Sequence, residues 1–149
     1  MKKIASIALI ITFTIALAAC GGGGGEQRTF VLENDDSLIK LEYTFDNDIV
    51  TDQISYNELT YDTLGFTDKN EAEEALASTV EQYEDLEGVT YDITFKKDKV
   101  IEETKVDYES IDFDEAQDVP GFEFSGDLSN GISMEETAKM LEENGFTEE

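Results

Sequence analysis

The chain has 149 residues, 36 acidic against 10 basic, for a net charge of −26, with one cysteine, no histidine and no tryptophan. That balance excludes nucleic acid as a partner, since phosphate recognition needs a basic face. The missing histidine and lone cysteine rule out imidazole chemistry, histidine–metal sites, Ser–His and Cys–His nucleophile pairs and an intramolecular disulfide.

The first element is a leader. Lys2 and Lys3 precede an apolar run over 4–17 broken only by Ser6, Thr12 and Thr14. It is shorter than the roughly 20 residues that span a bilayer and ends in small residues, as a cleaved signal does; an uncleaved membrane anchor is the competing reading. Leu17-Ala18-Ala19-Cys20 resembles the bacterial lipobox. The resemblance implies that the Cys20 thiol takes a diacylglycerol, with palmitate-type acyl chains. The signal, residues 1–19, is then cut between Ala19 and Cys20. Two acyl chains anchor stably where one binds only reversibly. Residues 20–27, with five glycines at 21–25, form the lipidated cysteine and a flexible tether. Residues 28–149 form one domain. Lys2 and Lys3 leave with the signal, so the remainder carries 36 acidic and 8 basic residues, net −28. Adhesion of such a domain to anionic lipid is disfavoured, so the lipid itself must hold it.

Strands are expected over 28–33, 38–45 and 49–56, joined by the turns Asn34-Asp35-Asp36-Ser37 and Asp46-Asn47-Asp48. In the second strand Ile39, Leu41, Tyr43 and Phe45 share one face, with Lys40, Glu42 and Thr44 on the other. Ala72, Ala75, Leu76, Thr79, Val80, Tyr83 and Leu86 recur at helical spacing. Thr67 or Asp68 caps that helix, Gly88 is its left-handed stop, and Val89 folds back on Tyr83. Val89, Tyr91, Ile93 and Phe95 alternate with polar residues in a fourth strand, Lys97-Asp98 is a hairpin tip, and a fifth strand returns over 100–108. After an acidic stretch, Ser133 and Glu136 have capping-box spacing before a second helix with the stripe Met134, Thr137, Ala138 and Leu141. Gly145 ends it and Phe146 returns onto Leu141. The expected fold is α+β: a mainly antiparallel sheet of about five strands in β3-α-β2-α order, with two helices on one face.

The segments "GVTYDITFKKDKVIEETKVDY" and "GISMEETAKMLEENGF", with the lipobox and "TFVLEN" after the tether, resemble the YehR-like bacterial lipoproteins over nearly the whole chain. The resemblance implies a small lipid-anchored α+β domain without an established activity, and it brings no catalytic residue.

Two chemistries remain to be weighed. Paired carboxylates could serve a hydrolase of the cell envelope, but 36 acidic residues supply close pairs by chance. Calcium suits oxygen-rich sites. From Asp112, Asp114 and Asp118 fit the EF-hand spacing and Glu123 falls twelfth, but Gln117 stands where glycine is needed. From Asp46 the sixth and twelfth positions are Thr51 and Asn57, and from Asp127 the twelfth is Ala138. The expectation is a non-enzymatic binding or interaction module with no catalytic residue, no cofactor and no metal. It is held at the cell membrane by its lipid and faces out of the cytoplasm, at the cell surface or in the periplasm, toward an envelope protein or a small ligand. The alternatives are a carboxylate-dependent envelope hydrolase and a calcium-binding envelope protein. The anchor is directly testable. Cys20→Ala is expected to abolish incorporation of a labelled fatty acid and leave an unprocessed precursor; label on the alanine variant would refute lipidation at Cys20.

Overall fold

The computed structural model describes residues 25–119 and 130–149. A meander of β1 (Glu26–Glu33), β2 (Ser37–Asp46) and β3 (Ile49–Thr60) leads into helix α1 (Lys69–Glu84). The hairpin β4 (Val89–Phe95) and β5 (Lys99–Asp107) follows, then a one-turn helix α2 (Phe113–Ala116), helix α3 (Met134–Glu143) and a two-residue strand β6 (Thr147–Glu148). The strands form one antiparallel sheet in the order β4-β5-β3-β2-β1-β6. The α+β class and antiparallel sheet agree with expectation. The count of five strands and the order β3-α-β2-α do not: the described residues form six strands, and α2 and β6 are additional. Both are too short to carry a period. β6 exists because the outer edge of β1 offers it a ladder, at Phe30↔Glu148 and Val31↔Thr147.

One irregularity decides which side chains enter the core. Thr44 pairs with Asp52, but Phe45 pairs with Val50, so Thr51 is an extra, bulged residue. A bulge shifts the phase of alternation by one. Val50 therefore lies inward beside Phe45, while beyond the bulge Gln53, Ser55 and Asn57 take the inward positions and Ile54 and Tyr56 the outward ones. The register carries that inward face across the sheet through Phe30, Leu41, Tyr43, Val100, Val106, Tyr91 and Ile93.

Both long helices cover this face. Met134, Ala138 and Leu141 of α3 join Phe30, Tyr43 and Val50 in one buried cluster. Phe30 and Tyr43 meet edge to face with ring centroids 6.2 Å apart. Ala72 of α1 packs with Tyr61 and Val100, and Leu86 just beyond α1 packs with Val106 and the α2 residue Ala116. The core is thus three clusters strung along one side of the sheet.

The helix ends are fixed by distinct devices. At α1, Asp68 is the cap and accepts from the Asn70 and Glu71 amides, while the Thr67 amide and hydroxyl both donate to the Glu71 carboxylate. Gly88 is not the stop of α1, which ends at a right-handed Asp85. Its positive φ of 80° serves the turn into β4, where an added Cβ would lie 2.9 Å from the Ile111 nitrogen and 3.0 Å from the Asp107 oxygen. Val89 does join Tyr83 in one cluster.

The start of α3 is capped from 85 residues away. The Met134 amide donates to the Asp48 carbonyl, the Glu135 amide to Asp48 Oδ1 at 2.8 Å, and Ser133 Oγ to Asp48 Oδ2 at 2.7 Å. Ser133 Oγ accepts from the Glu136 amide. Three orphan amides of the first turn are thereby satisfied, and the cap is shared between Ser133 and Asp48 rather than being a Ser133–Glu136 box. At the other end, Gly145 (φ 92°) and Phe146 donate to the Glu142 and Leu141 carbonyls, the full Schellman pattern.

Two predictions follow from these ends. The Ser133 hydroxyl and the Glu135 amide, in that order of weight, hold the Asp48 carboxyl below the usual carboxylate range. A lowered folded-state pKa means the stabilisation is present above the unfolded value near 3.9 and is lost as pH falls through the folded value. Asp48→Asn keeps the side-chain size and tolerates the positive φ of 73°. It is expected to lower Tm by a few degrees at neutral pH, with the gap to wild type closing as the pH drops below about 4; a gap independent of pH would exclude the charged cap. For Gly88, alanine should cost more than at Gly65, which has the same φ of 80° but nothing within 4 Å of an added Cβ. Chemical denaturation should give about 1–2 kcal/mol for Gly65→Ala and at least about 1 kcal/mol more for Gly88→Ala, where backbone atoms obstruct the new methyl.

Candidate functional site

The covered side of a two-layer fold is normally apolar along its central strands. Here the middle of that side is polar: Gln53, Ser55 and Asn57 of β3 stand beside Glu102 and Thr104 of β5. All but Thr104 are half-buried; Thr104 is 9% exposed. The strip lies between the α3 cluster on β1–β3 and the α1 clusters on β4–β5. Glu102 is the only carboxylate on this face of β2, β3 and β5, in a chain with 36 acidic residues.

Tyrosines border the strip. Tyr91 donates to Glu102 Oε1 at 2.5 Å, and its ring stacks on Tyr83 of α1 with centroids 4.4 Å apart and planes 23° from parallel. Burial, then the bond to Glu102, pushes the Tyr91 phenol well above its ordinary range. Tyr108 donates to Gln53 Oε1 at 2.5 Å, and burial raises its phenol too. Tyr43, one row away on β2, is pushed up to about 12 by burial. These phenols stay protonated at neutral pH, so the border offers neutral rings and hydroxyl donors. Together with two amides, two hydroxyls and one carboxylate, the strip can form hydrogen bonds and stack on planar groups.

A second feature lies at one end of the sheet. Thr60, Tyr61, Phe66, Asp68, Lys97 and Asp98 are among the residues that surround a depression of about 580 Å³. The Tyr61 hydroxyl holds the Lys96 carbonyl at 2.7 Å, and backbone bonds tie Thr60 to Asp36 and Tyr61 to Asp98. The β1–β2 turn, the 61–68 loop and the β4–β5 tip thus share this end. The chain enters β1 at the opposite end, where Glu26 pairs with Phe45 beside the β2–β3 turn.

The sequence-predicted residues fare as follows. Ala19 and Cys20 lie outside the described residues. Asp112 caps α2, its carboxylate accepting from the Asp114 and Glu115 amides, while Asp114 and Asp118 are exposed. Among the described residues no group of three or more acidic, cysteine or histidine side chains is placed to hold a metal ion, and no described helix is long and apolar enough to cross a membrane. Sequence reasoning missed the polar strip. Its signal was the run of polar residues at every second position from Gln53 to Asn57, made unreadable by the bulge at Thr51.

The chain matches the family described as "Protein of unknown function (DUF1307)" over residues 26–147. It is 37% identical over 148 residues to the uncharacterized lipoprotein Lmo0207 of Listeria monocytogenes, covering 99% of this chain and 96% of that protein. To the uncharacterized lipoprotein Lin0239 of Listeria innocua it is 38% identical with the same coverage. The NMR structure of the Escherichia coli YehR protein superposes with a TM-score of 0.69 at 26% identity, over 86% of this chain and 93% of that one. Relatives named as lipoproteins support a lipoprotein nature and membrane association for this chain. It belongs to the DUF1307 family, the YehR-like lipoproteins.

Proposed function

We propose that this chain is a non-enzymatic binding module, anchored in the membrane through lipid on Cys20 and facing out of the cytoplasm. Its ligand contact is the polar strip of Gln53, Ser55, Asn57, Glu102 and Thr104. The observation that carries this reading is the inversion on β3. A sheet that serves only to support helices gains by burying Ile54 and Tyr56 and exposing the polar positions. This one does the reverse, and Ile54 is left 40% exposed.

Binding is favoured over hydrolysis by the surroundings of Glu102. Retaining and inverting glycosidases both set two carboxyl groups across a cleft, whereas the partner of Glu102 is the Tyr91 phenol.

The test uses a photoreactive phenylalanine analogue in living cells, placed at Asn57 in the strip or at Glu42 on the uncovered face of β2. With both variants folded, as judged by thermal melts, position 57 is expected to give a discrete covalent adduct that position 42 does not. Equal adducts at both positions, or none at 57, would remove the strip as the contact surface.

A further inference from the structure

We propose that the outer edge of β4 takes up a basic, extended peptide segment as an added strand. This builds on the binding-module reading and is independent of the polar strip.

The two edges of the sheet are treated differently. The middle of the β1 edge is occupied. β6 pairs with Phe30 and Val31, the Glu149 amide donates to the Thr29 carbonyl at 3.0 Å, and Glu148 grips Arg28 through two bonds of 2.7 Å. Arg28, the only arginine in the chain, also sits 5.2 Å over the Phe30 ring.

Among the described residues no strand pairs with the outer side of β4. At its two ends the ladder to β5 is marked by the bonds Lys96 N–H to Lys99 O and Asp107 N–H to Gly88 O, both 2.8 Å. Antiparallel hydrogen-bonded pairs recur every second residue. Between those ends Thr90, Asp92 and Thr94 therefore spend their backbone groups on β5, and Tyr91 and Ile93 point theirs outward. Among the described residues the outer side receives only the Lys69 ammonium, on the Phe95 carbonyl at 3.3 Å, and a bond of the Val89 amide to the Leu86 carbonyl. The strand reads Val-Thr-Tyr-Asp-Ile-Thr-Phe, all but one residue a strong strand former, with no proline, lysine or bulge to blunt it. An edge of this kind is a template for strand addition.

Charge selects the occupant. Asp92 is exposed on the uncovered face of β4, and on the covered face α1 overlies the strand and carries exposed Glu71, Glu73, Glu74, Glu81 and Glu84. A segment with basic residues at alternate positions carries its cations on one face, and on the uncovered side they meet Asp92 and, one strand further in, its exposed partner Glu103. A second copy of this chain is disfavoured by its own net charge of −26. Pairing β4 with itself about its centre would also set Asp92 against Asp92, and like charges directly opposed on a sheet repel.

The probe is the synthetic octapeptide acetyl-KTKVKTKV-amide, added to the full-length lipoprotein in detergent micelles while amide exchange is read by NMR. The Tyr91 and Ile93 amides are expected to slow by at least about tenfold, while Thr90, Asp92 and Thr94, already in the ladder, change little. An added strand uses only alternate amides of the peptide. Of two peptides N-methylated at odd or at even residues, one should lose the effect and the other keep it. Asp92→Lys should weaken binding. Three results would each overturn the proposal: shifts spread over the acidic surface without protection at Tyr91 and Ile93; equal protection by a peptide with glutamate in place of lysine; or protection that rises with protein concentration in the absence of peptide, which marks self-association. A missing adduct at Asn57 together with protection at Tyr91 and Ile93 separates failure of the strip from failure of the edge.

Discussion

The extra residue at Thr51 sets the phase of β3, and most of what is distinctive in this domain depends on that phase. Val50, Ile54 and Tyr56 have the same parity in sequence. In an unbroken strand all three would enter the core together, and Gln53, Ser55 and Asn57 would face water. The bulge divides them: Val50 stays in the α3 cluster, and Ile54 and Tyr56 turn outward. Its location is held from both sides. Thr51 Oγ1 donates to the Thr44 carbonyl, the Tyr108 amide donates to the Thr51 carbonyl, and the Val50 amide donates to the Ile132 carbonyl ahead of α3. The same turn carries Asp48, whose carbonyl and carboxylate begin α3. A few residues therefore fix both the polarity of the covered face and the seat of the helix that borders it.

What was legible in the sequence was what is local. The alternation of β4, the Schellman end of α3 at Gly145 and Phe146, and the inward set Ile39, Leu41, Tyr43 and Phe45 of β2 are each determined within a few residues. What was not legible depends on partners far along the chain. Asp48 looks like an ordinary turn residue until Ser133 is brought to it. β6 has no strand signal of its own and is ordered by the free edge of β1. Gly88 looked like a helix stop because a left-handed glycine near a helix end usually is one. Its actual constraint is the close approach of the backbone at Asp107 and Ile111. The polar strip belongs to the same class, because no rule of alternation places a bulge.

The uncovered face shows how so acidic a domain keeps a sheet together. Lys99 is paired with Glu58, which also accepts from Tyr56 at 2.5 Å. The Lys99 bond, then the Tyr56 bond, holds the Glu58 carboxyl below the usual range, and Glu58 in turn pushes Tyr56 up to about 12. Lys40 reaches Glu149 at 3.7 Å. Such exposed pairs contribute little individually. Their consequence here is registry: Lys99 and Lys40 lie on strands and neutralise carboxylates of neighbouring segments, Glu58 and Glu149, which limits like-charge contact where strands are closest.

Edges and charge combine into one constraint on how the domain can meet a partner. β6 and the Arg28–Glu148 pair occupy the middle and start of the β1 edge. The other edge of the described sheet, β4, lies four strands away. Strand spacing of about 4.8 Å sets it roughly 20 Å from β1. The two edges therefore differ in kind among the described residues: one carries β6 and an ion pair, the other a strand whose Tyr91 and Ile93 backbone groups point outward, with Asp92 exposed on its uncovered face.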